Sequence, residues 1–141
     1  MACVLLVRKE KIEDPKQWFS AVFEMEDEWK EDVYLEGFKN DSIYFSESEN
    51  GNFYRFEDME ESYFVYLETK AWLDIAGEHE IIYGFYSDDN LSAEFIHIKD
   101  SKCIREYREY YDDEDGNVDK GTLPEFDSWV DVAGYVDESM N

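Results

Sequence analysis

Positive charge is what this chain has least of. Thirteen Lys and Arg stand against thirty-seven Asp and Glu, leaving a formal net charge of −24 over 141 residues. A surface this negative argues against direct contact with phosphate backbones or anionic membranes, which attract cations. Cysteine is almost as scarce. Cys3 and Cys103 are too few for a disulfide framework and lack CxxC spacing, so both are expected as reduced, buried thiols. There are two histidines, His79 and His97. A general base needs a nucleophile in reach and a group to orient it, and the spacing supplies neither. His97, inside Phe95-Ile-His-Ile98, reads as a strand residue. GxGxxG, P-loop and GxSxG patterns are all missing, so phosphate-cradling and acyl-transfer chemistry lack their starting residues. No enzyme, catalytic residue or cofactor is expected.

Long apolar runs are missing too. The stretch Cys3–Val7 is too short for a membrane span or a signal core, and no basic segment precedes it. It reads as a first strand of a cytoplasmic protein without a targeting segment. With no repeats and no low-complexity linker, residues 1–141 read as one domain.

Aromatic side chains, by contrast, are abundant: four Trp, eleven Tyr and ten Phe. Disordered acidic tails are poor in such residues, so this acidity surrounds a real core. Asp14, Pro15 and Gln17 form a helix start, and Trp18, Phe19, Val22, Phe23, Met25 and Trp29 recur at helical spacing, predicting a helix over about 15–31. From residue 33 to 111 the period changes to two. Strands are expected over 33–38, 42–45, 53–56, 62–72, 81–86, 93–98 and 103–110, with Asn50-Gly51 as a type I′ hairpin signal. The 62–72 stretch is ambiguous, since Gly77 could end a helix there, but the four bulky residues Tyr63–Tyr66 favour a strand. Thr122 and Glu125 have capping-box spacing around Pro124, so a second helix is expected over about 124–136, with Phe126, Trp129, Val130 and Ala133 on its apolar face. The whole is an α+β fold: a curved antiparallel sheet of about six to eight strands carrying two helices.

Carboxylate pairs are too numerous to mark a catalytic dyad. The loop Asp112–Asp119 invites a calcium test, but placing Gly116 sixth puts Tyr111 first and Thr122 twelfth, where carboxylates belong, so no metal is expected. The acids are uneven. Residues 109–141 hold eleven of them against Lys120 alone, beside Tyr107, Tyr110 and Tyr111. A second cluster is Glu57, Asp58, Glu60 and Glu61. Rings beside charges suit a recognition surface, where rings anchor and charge steers. The candidate partner-binding residues are therefore Asp112, Asp113, Glu114, Asp115, Tyr107, Tyr110, Tyr111, Glu57, Asp58, Glu60 and Glu61.

In size, charge and α+β layout the chain resembles the small acidic immunity proteins of bacterial toxin–immunity systems, contact-dependent or polymorphic. The most suggestive stretch is Ala93-Glu-Phe-Ile-His-Ile-Lys-Asp-Ser-Lys-Cys-Ile-Arg-Glu-Tyr107. No diagnostic motif accompanies it, so no functional residue carries over. The resemblance implies a cytoplasmic antitoxin-like inhibitor whose partner is a basic toxin domain, a nuclease first of all. Two alternatives remain: a nucleic-acid mimic that blocks a DNA-binding or restriction protein, and a small-ligand domain with incidental acidity.

Overall fold

Cys3 to Val7 are five consecutive apolar residues, each no more than 3% exposed. A strand reads this way only when both faces of its sheet are covered. The computed structural model, which describes residues 1–34 and 36–141, places this strand, β1 (Ala2–Arg8), at the centre of a nine-stranded sheet. The others are β2 (Lys30–Asp32), β3 (Gly37–Asn40), β4 (Ile43–Glu47), β5 (Phe53–Asp58), β6 (Ile81–Ser87), β7 (Ser92–Lys99), β8 (Lys102–Glu109) and β9 (Val118–Gly121). The order is β2-β3-β4-β5-β1-β6-β7-β8-β9 and the sheet is not closed. Every neighbouring pair is antiparallel. The expected strands at 42–45, 53–56, 81–86, 93–98 and 103–110 form, and the count exceeds the expected range because of the edges. β2 and β9 are polar and three or four residues long, too short to show alternation. The expected strand 33–38 includes residue 35, which lies outside the described residues; Val33 and Tyr34 lie in a turn.

Three helices cover the two faces. Cys3, Leu5 and Val7 point with Phe56, Tyr83 and Ile96 to a layer holding α1 (Pro15–Val22) and α2 (Thr69–Ala76). Val4 and Leu6 point with Phe53, Ile82 and Phe95 to α3 (Trp129–Ser139). The first layer is aromatic throughout: Phe19 stacks on Phe56 at 4.3 Å, and Trp72 on Tyr83 at 4.5 Å. Such pairs add about 0.5–1.5 kcal/mol each beyond the area they bury. On the other face α3 approaches Gly84 so closely that a Cβ there would lie 2.6 Å from Met140 Sδ and 2.7 Å from Val136. Among the described residues no helix is long and apolar enough to cross a membrane.

The helix boundaries correct the expectations. Asp14 does cap α1, accepting from Gln17 N at 3.1 Å, but the helix stops at Val22 rather than 31. Glu24 turns left-handed (φ 54°), and the chain doubles back so that Trp29 donates its indole N–H to Ser20 Oγ at 2.8 Å. Trp29 thus joins the core from a returning loop. A helix continued through Glu24, Glu26, Asp27 and Glu28 would have stacked like charges.

The expected strand 62–72 is not a strand. The Asp58 carboxylate accepts the backbone N–H groups of Ser62, Tyr63 and Phe64 at 3.1, 2.6 and 3.2 Å, taking the donors a strand ladder needs. The chain then enters α2, which ends at Gly77 with φ 55°. The C-terminal helix begins at Trp129, not 124, because Ser128 is the residue whose side chain caps it. Buried Arg105 donates to the carbonyls of Lys120 and Pro124, both at 2.8 Å, which holds 120–124 out of a helix. Phe126 is buried ahead of the helix, and Val130 is 57% exposed instead of lining its apolar face. At Asn50-Gly51 only Gly51 takes a positive φ (78°), so the hairpin closes through a four-residue loop bonded from Ser48 N to Phe53 O rather than a type I′ pair.

Candidate partner-binding groove

Antiparallel pairing sorts the loops by end. The C-terminal ends of β5, β6 and β8 lie beside the N-terminal ends of β1, β7 and β9. Segments 59–68, 88–91 and 110–117 therefore share one end of the sheet. They hold nine acids (Glu60, Glu61, Glu68, Asp88, Asp89, Asp112, Asp113, Glu114, Asp115) and no Lys or Arg. Asp112–Asp115 are brought together here with Glu60 and Glu61 of the second expected cluster, joined by the unanticipated Asp88 and Asp89.

Beneath these loops lies a buried ion pair. Glu94 on β7 faces Arg108 on β8 in register and is fully buried. Its carboxylate accepts from Arg108 Nη1 at 2.8 Å, Tyr83 Oη at 2.8 Å, Tyr66 N at 3.1 Å, and the Tyr110 hydroxyl. Arg108 also donates to Leu67 O at 3.0 Å, Thr69 Oγ1 at 3.2 Å and Glu106 at 3.1 Å. A buried charge pair tolerates desolvation only when its remaining donors and acceptors are met, as they are here. Burial, then the Glu94 charge and hydrogen bond, pushes the Tyr110 hydroxyl well above its ordinary range, so it stays a neutral donor.

This network shapes the surface above it. Tyr110 is tethered by its hydroxyl, and its ring meets that of Tyr66 at 5.8 Å. The loop after it is built by the backbone: Asp113 N donates to Tyr110 O, a single 3-10 turn covers Glu114–Gly116, and Tyr110 N donates to Asn117 Oδ1 at 2.8 Å. Between these parts runs a groove of about 390 Å³ lined by Tyr66, Asn90, Ser92, Tyr110, Tyr111, Asp112 and Asp113. Tyr66 and Tyr111 are 66% and 69% exposed. The hydroxyl of buried Ser92 has no hydrogen-bond partner.

The candidate residues divide accordingly. Asp112, Asp113, Tyr110 and Tyr111 line the groove, and Glu114, Asp115 and Glu60 are exposed on the same end. Glu61 is half-buried there, its pKa raised by burial and by Asp58. Three candidates lie elsewhere. Asp58 is 2% exposed and spent on backbone amides, and Tyr107 packs inside against Phe126 with its hydroxyl on Glu109. Glu57 lies 3.5 Å from Arg55, whose Nε donates to Met140 O, so this pair belongs to the α3 face. Sequence reasoning missed Tyr66, Asn90 and Ser92. It also passed over Glu94, an acid between apolar neighbours in a strand, which was the available signal for a buried ion pair.

The opposite end holds a second hollow, of about 300 Å³, lined by Arg8, Glu10, Lys11, Glu78, His79, Glu80, Lys99 and Asp100. Glu80 bridges Arg8 at 2.6 Å and His97 Nε2 at 2.7 Å. Burial would raise the Glu80 pKa, but hydrogen bonds from His97 and Arg8 outweigh it and hold the carboxyl below its ordinary value. The carboxylate–imidazole pair has the geometry of an oriented base, yet no hydroxyl or thiol is hydrogen-bonded to His97 among the described residues. Burial pushes both thiols, Cys3 and Cys103, toward the protonated form. Among the described residues no three His, Cys, Asp or Glu side chains converge as a metal site. No protein-family model, curated protein or solved structure matches this chain.

Proposed function

We propose that the chain is an acidic cytoplasmic inhibitor of the immunity-protein kind, which neutralises a basic toxin domain, a nuclease first of all, by occluding its cationic surface. The observation that carries this reading is the end of the sheet where three loops with nine acids and no Lys or Arg adjoin a tyrosine-lined groove. A nuclease must collect positive charge to bind phosphates, and that charge is what such an end complements. Complementary fields raise association rates by roughly 10–10³ and disfavour wrong partners, which suits capture of a lethal enzyme. The nine acids of these loops form a local patch, which favours a local contact over an extended mimic of nucleic acid.

The test uses the basic C-terminal domain of a toxin encoded beside this chain. Mixed at low salt, the two should form a complex that abolishes the toxin's activity. Affinity should fall steeply with salt as the screening length shrinks to ~3 Å at 1 M. Full toxin activity in the presence of excess chain at low salt would sink the reading.

A further inference from the structure

We infer that the groove between Tyr66, Tyr110 and Tyr111 is a pocket for one arginine side chain of the partner protein, the anchor about which the acidic end docks. This rests on the inhibitor reading and narrows it to a residue type. Three independent features converge on a guanidinium.

The walls are aromatic. Tyr66 and Tyr111 expose most of their surface beside the tethered Tyr110 ring, and flat cations stack on such faces. The rim carries Asp112 and Asp113, both exposed, and a carboxylate accepts two parallel N–H bonds from a guanidinium. Ser92 also lines the groove, and its hydroxyl is buried and unpaired. Native chains rarely leave a buried hydroxyl without a partner. Serine has two acceptor lone pairs, and guanidinium is the side chain richest in donors, with five N–H groups in a fixed fork. A lysine ammonium would meet the carboxylates, but as a compact, strongly hydrated charge it stacks less well and cannot span rim and wall together. The occupant belongs to a protein and is not free arginine. The free amino acid brings a carboxylate that the rim acids and the wider −24 charge repel.

The pocket is tested on the intact chain, with amide-capped arginine (N-acetyl-argininamide) as probe and NMR of backbone and tyrosine ring signals as readout. Saturable shifts confined to Tyr66, Ser92 and residues 110–113 are expected, with capped lysine and free L-arginine each binding at least about fivefold more weakly. Ser92→Ala should weaken the probe several-fold while leaving the unfolding midpoint unchanged or higher, because it deletes an unpaired buried hydroxyl. A merely structural serine would show neither loss of binding nor this opposition. Equal binding of arginine and lysine, or shifts spread over all the acidic loops without saturation, overturns the pocket as generic charge attraction. Tighter binding of free L-arginine overturns the protein-borne occupant. The two readings separate cleanly. A toxin complex unaffected by Ser92→Ala and Tyr66→Gly retains the inhibitor and removes the pocket. Saturable arginine selectivity without any inhibited toxin does the reverse.

Discussion

The two ends of the sheet carry similar kinds of side chain and use them in opposite ways. At the far end Arg8, Lys9, Lys11, Lys99, Lys102 and Lys120 supply six of the thirteen bases, and carboxylates pair with two of them: Glu80 with Arg8 at 2.6 Å, Glu47 with Lys9 at 3.1 Å. At the near end the loops carry acids only. Both ends nevertheless rest on a buried or half-buried carboxylate, Glu80 in one case and Glu94 in the other. Charge is partly neutralised by ion pairs at the far end. At the near end Asp88 lies 3.9 Å from the Met1 ammonium, while the groove-lining Asp112 and Asp113 have no ion-pair partner among the described residues. The total charge is thus less informative than its distribution over the topology, which gathers residues 60, 89 and 113 onto one end by strand order alone.

The largest effect should come from removing the support under the near end. Glu94→Ala takes from Arg108 its fully buried partner, leaves it Glu106 at 3.1 Å, and frees the Tyr66 and Tyr110 tethers, so a loss toward the lower end of about 3–5 kcal/mol is expected in urea unfolding. Glu80→Ala, at the more solvent-accessible far network, should lose about 1.5–3 kcal/mol, the worth of a hydrogen bond to a charged group. Equal losses would break the contrast between a sealed foundation and an open one.

Charge reversal sharpens the comparison from outside. Asp112, Asp113, Glu114 and Asp115, all changed to Lys, should slow association with a basic partner by at least about tenfold at low salt, within the range that steering supplies. Glu10, Glu13, Glu49 and Glu78 are equally exposed and sit at or near the far end; changed to Lys, they alter the net charge by the same amount and should slow it far less. Stopped-flow rates that depend only on net charge would show that the ends do not differ.

Tyr66 tests whether the near end is shaped for contact. It holds φ at 69°, a conformation that carries a cost for any residue with a Cβ, while exposing most of its ring. Tyr66→Gly removes that strain but adds backbone entropy to lose, so unfolding should shift by no more than about 1 kcal/mol. Binding of the basic partner should weaken about tenfold. A large stability loss with unchanged binding would make the ring part of the core architecture instead.

How far these ends could be read beforehand follows from where the physics is local. The strands at 42–45, 53–56, 81–86, 93–98 and 103–110, the Asp14 cap and the Asp112–Asp115 acids are near-neighbour properties, and they stand in the structure. The union of those acids with Glu60 and Glu61 is not local. It depends on β5, β6 and β8 ending on the same side, which requires the strand order. The errors have the same origin. Tyr63–Tyr66 have strand propensity, but from outside the window Asp58 captures the amides of Tyr63 and Phe64, and Glu94 that of Tyr66. Phe126 looked helical until Arg105, nineteen residues before Pro124, held the intervening segment. Asp58 and Tyr107 read as surface residues because type and sequence neighbours say nothing about which side of a pleat faces a helix layer.

The smallest expected effect is also the most direct comparison of the ends, because acid should act on them in opposite directions. Glu61, at the near end, has a half-buried carboxylate with one oxygen unpartnered, and burial together with Asp58 raises its pKa above 4.5. Its charged form therefore costs the fold at neutral pH, and that cost is relieved as pH falls through the raised folded value toward 4.5. Glu80 behaves in reverse. Its folded pKa lies below 4.5, so its stabilisation is complete above the unfolded value and is lost as pH falls through the folded one. Glu61→Gln should raise stability slightly at neutral pH and flatten the curve just above pH 4.5, whereas Glu80→Gln should lower it at neutral pH and flatten the limb below. Urea midpoints followed across the acid range for both variants separate the windows. If the two substitutions changed the same limb with the same sign, the carboxylates at the two ends would share one environment, and the contrast between the two ends would fail at its foundation.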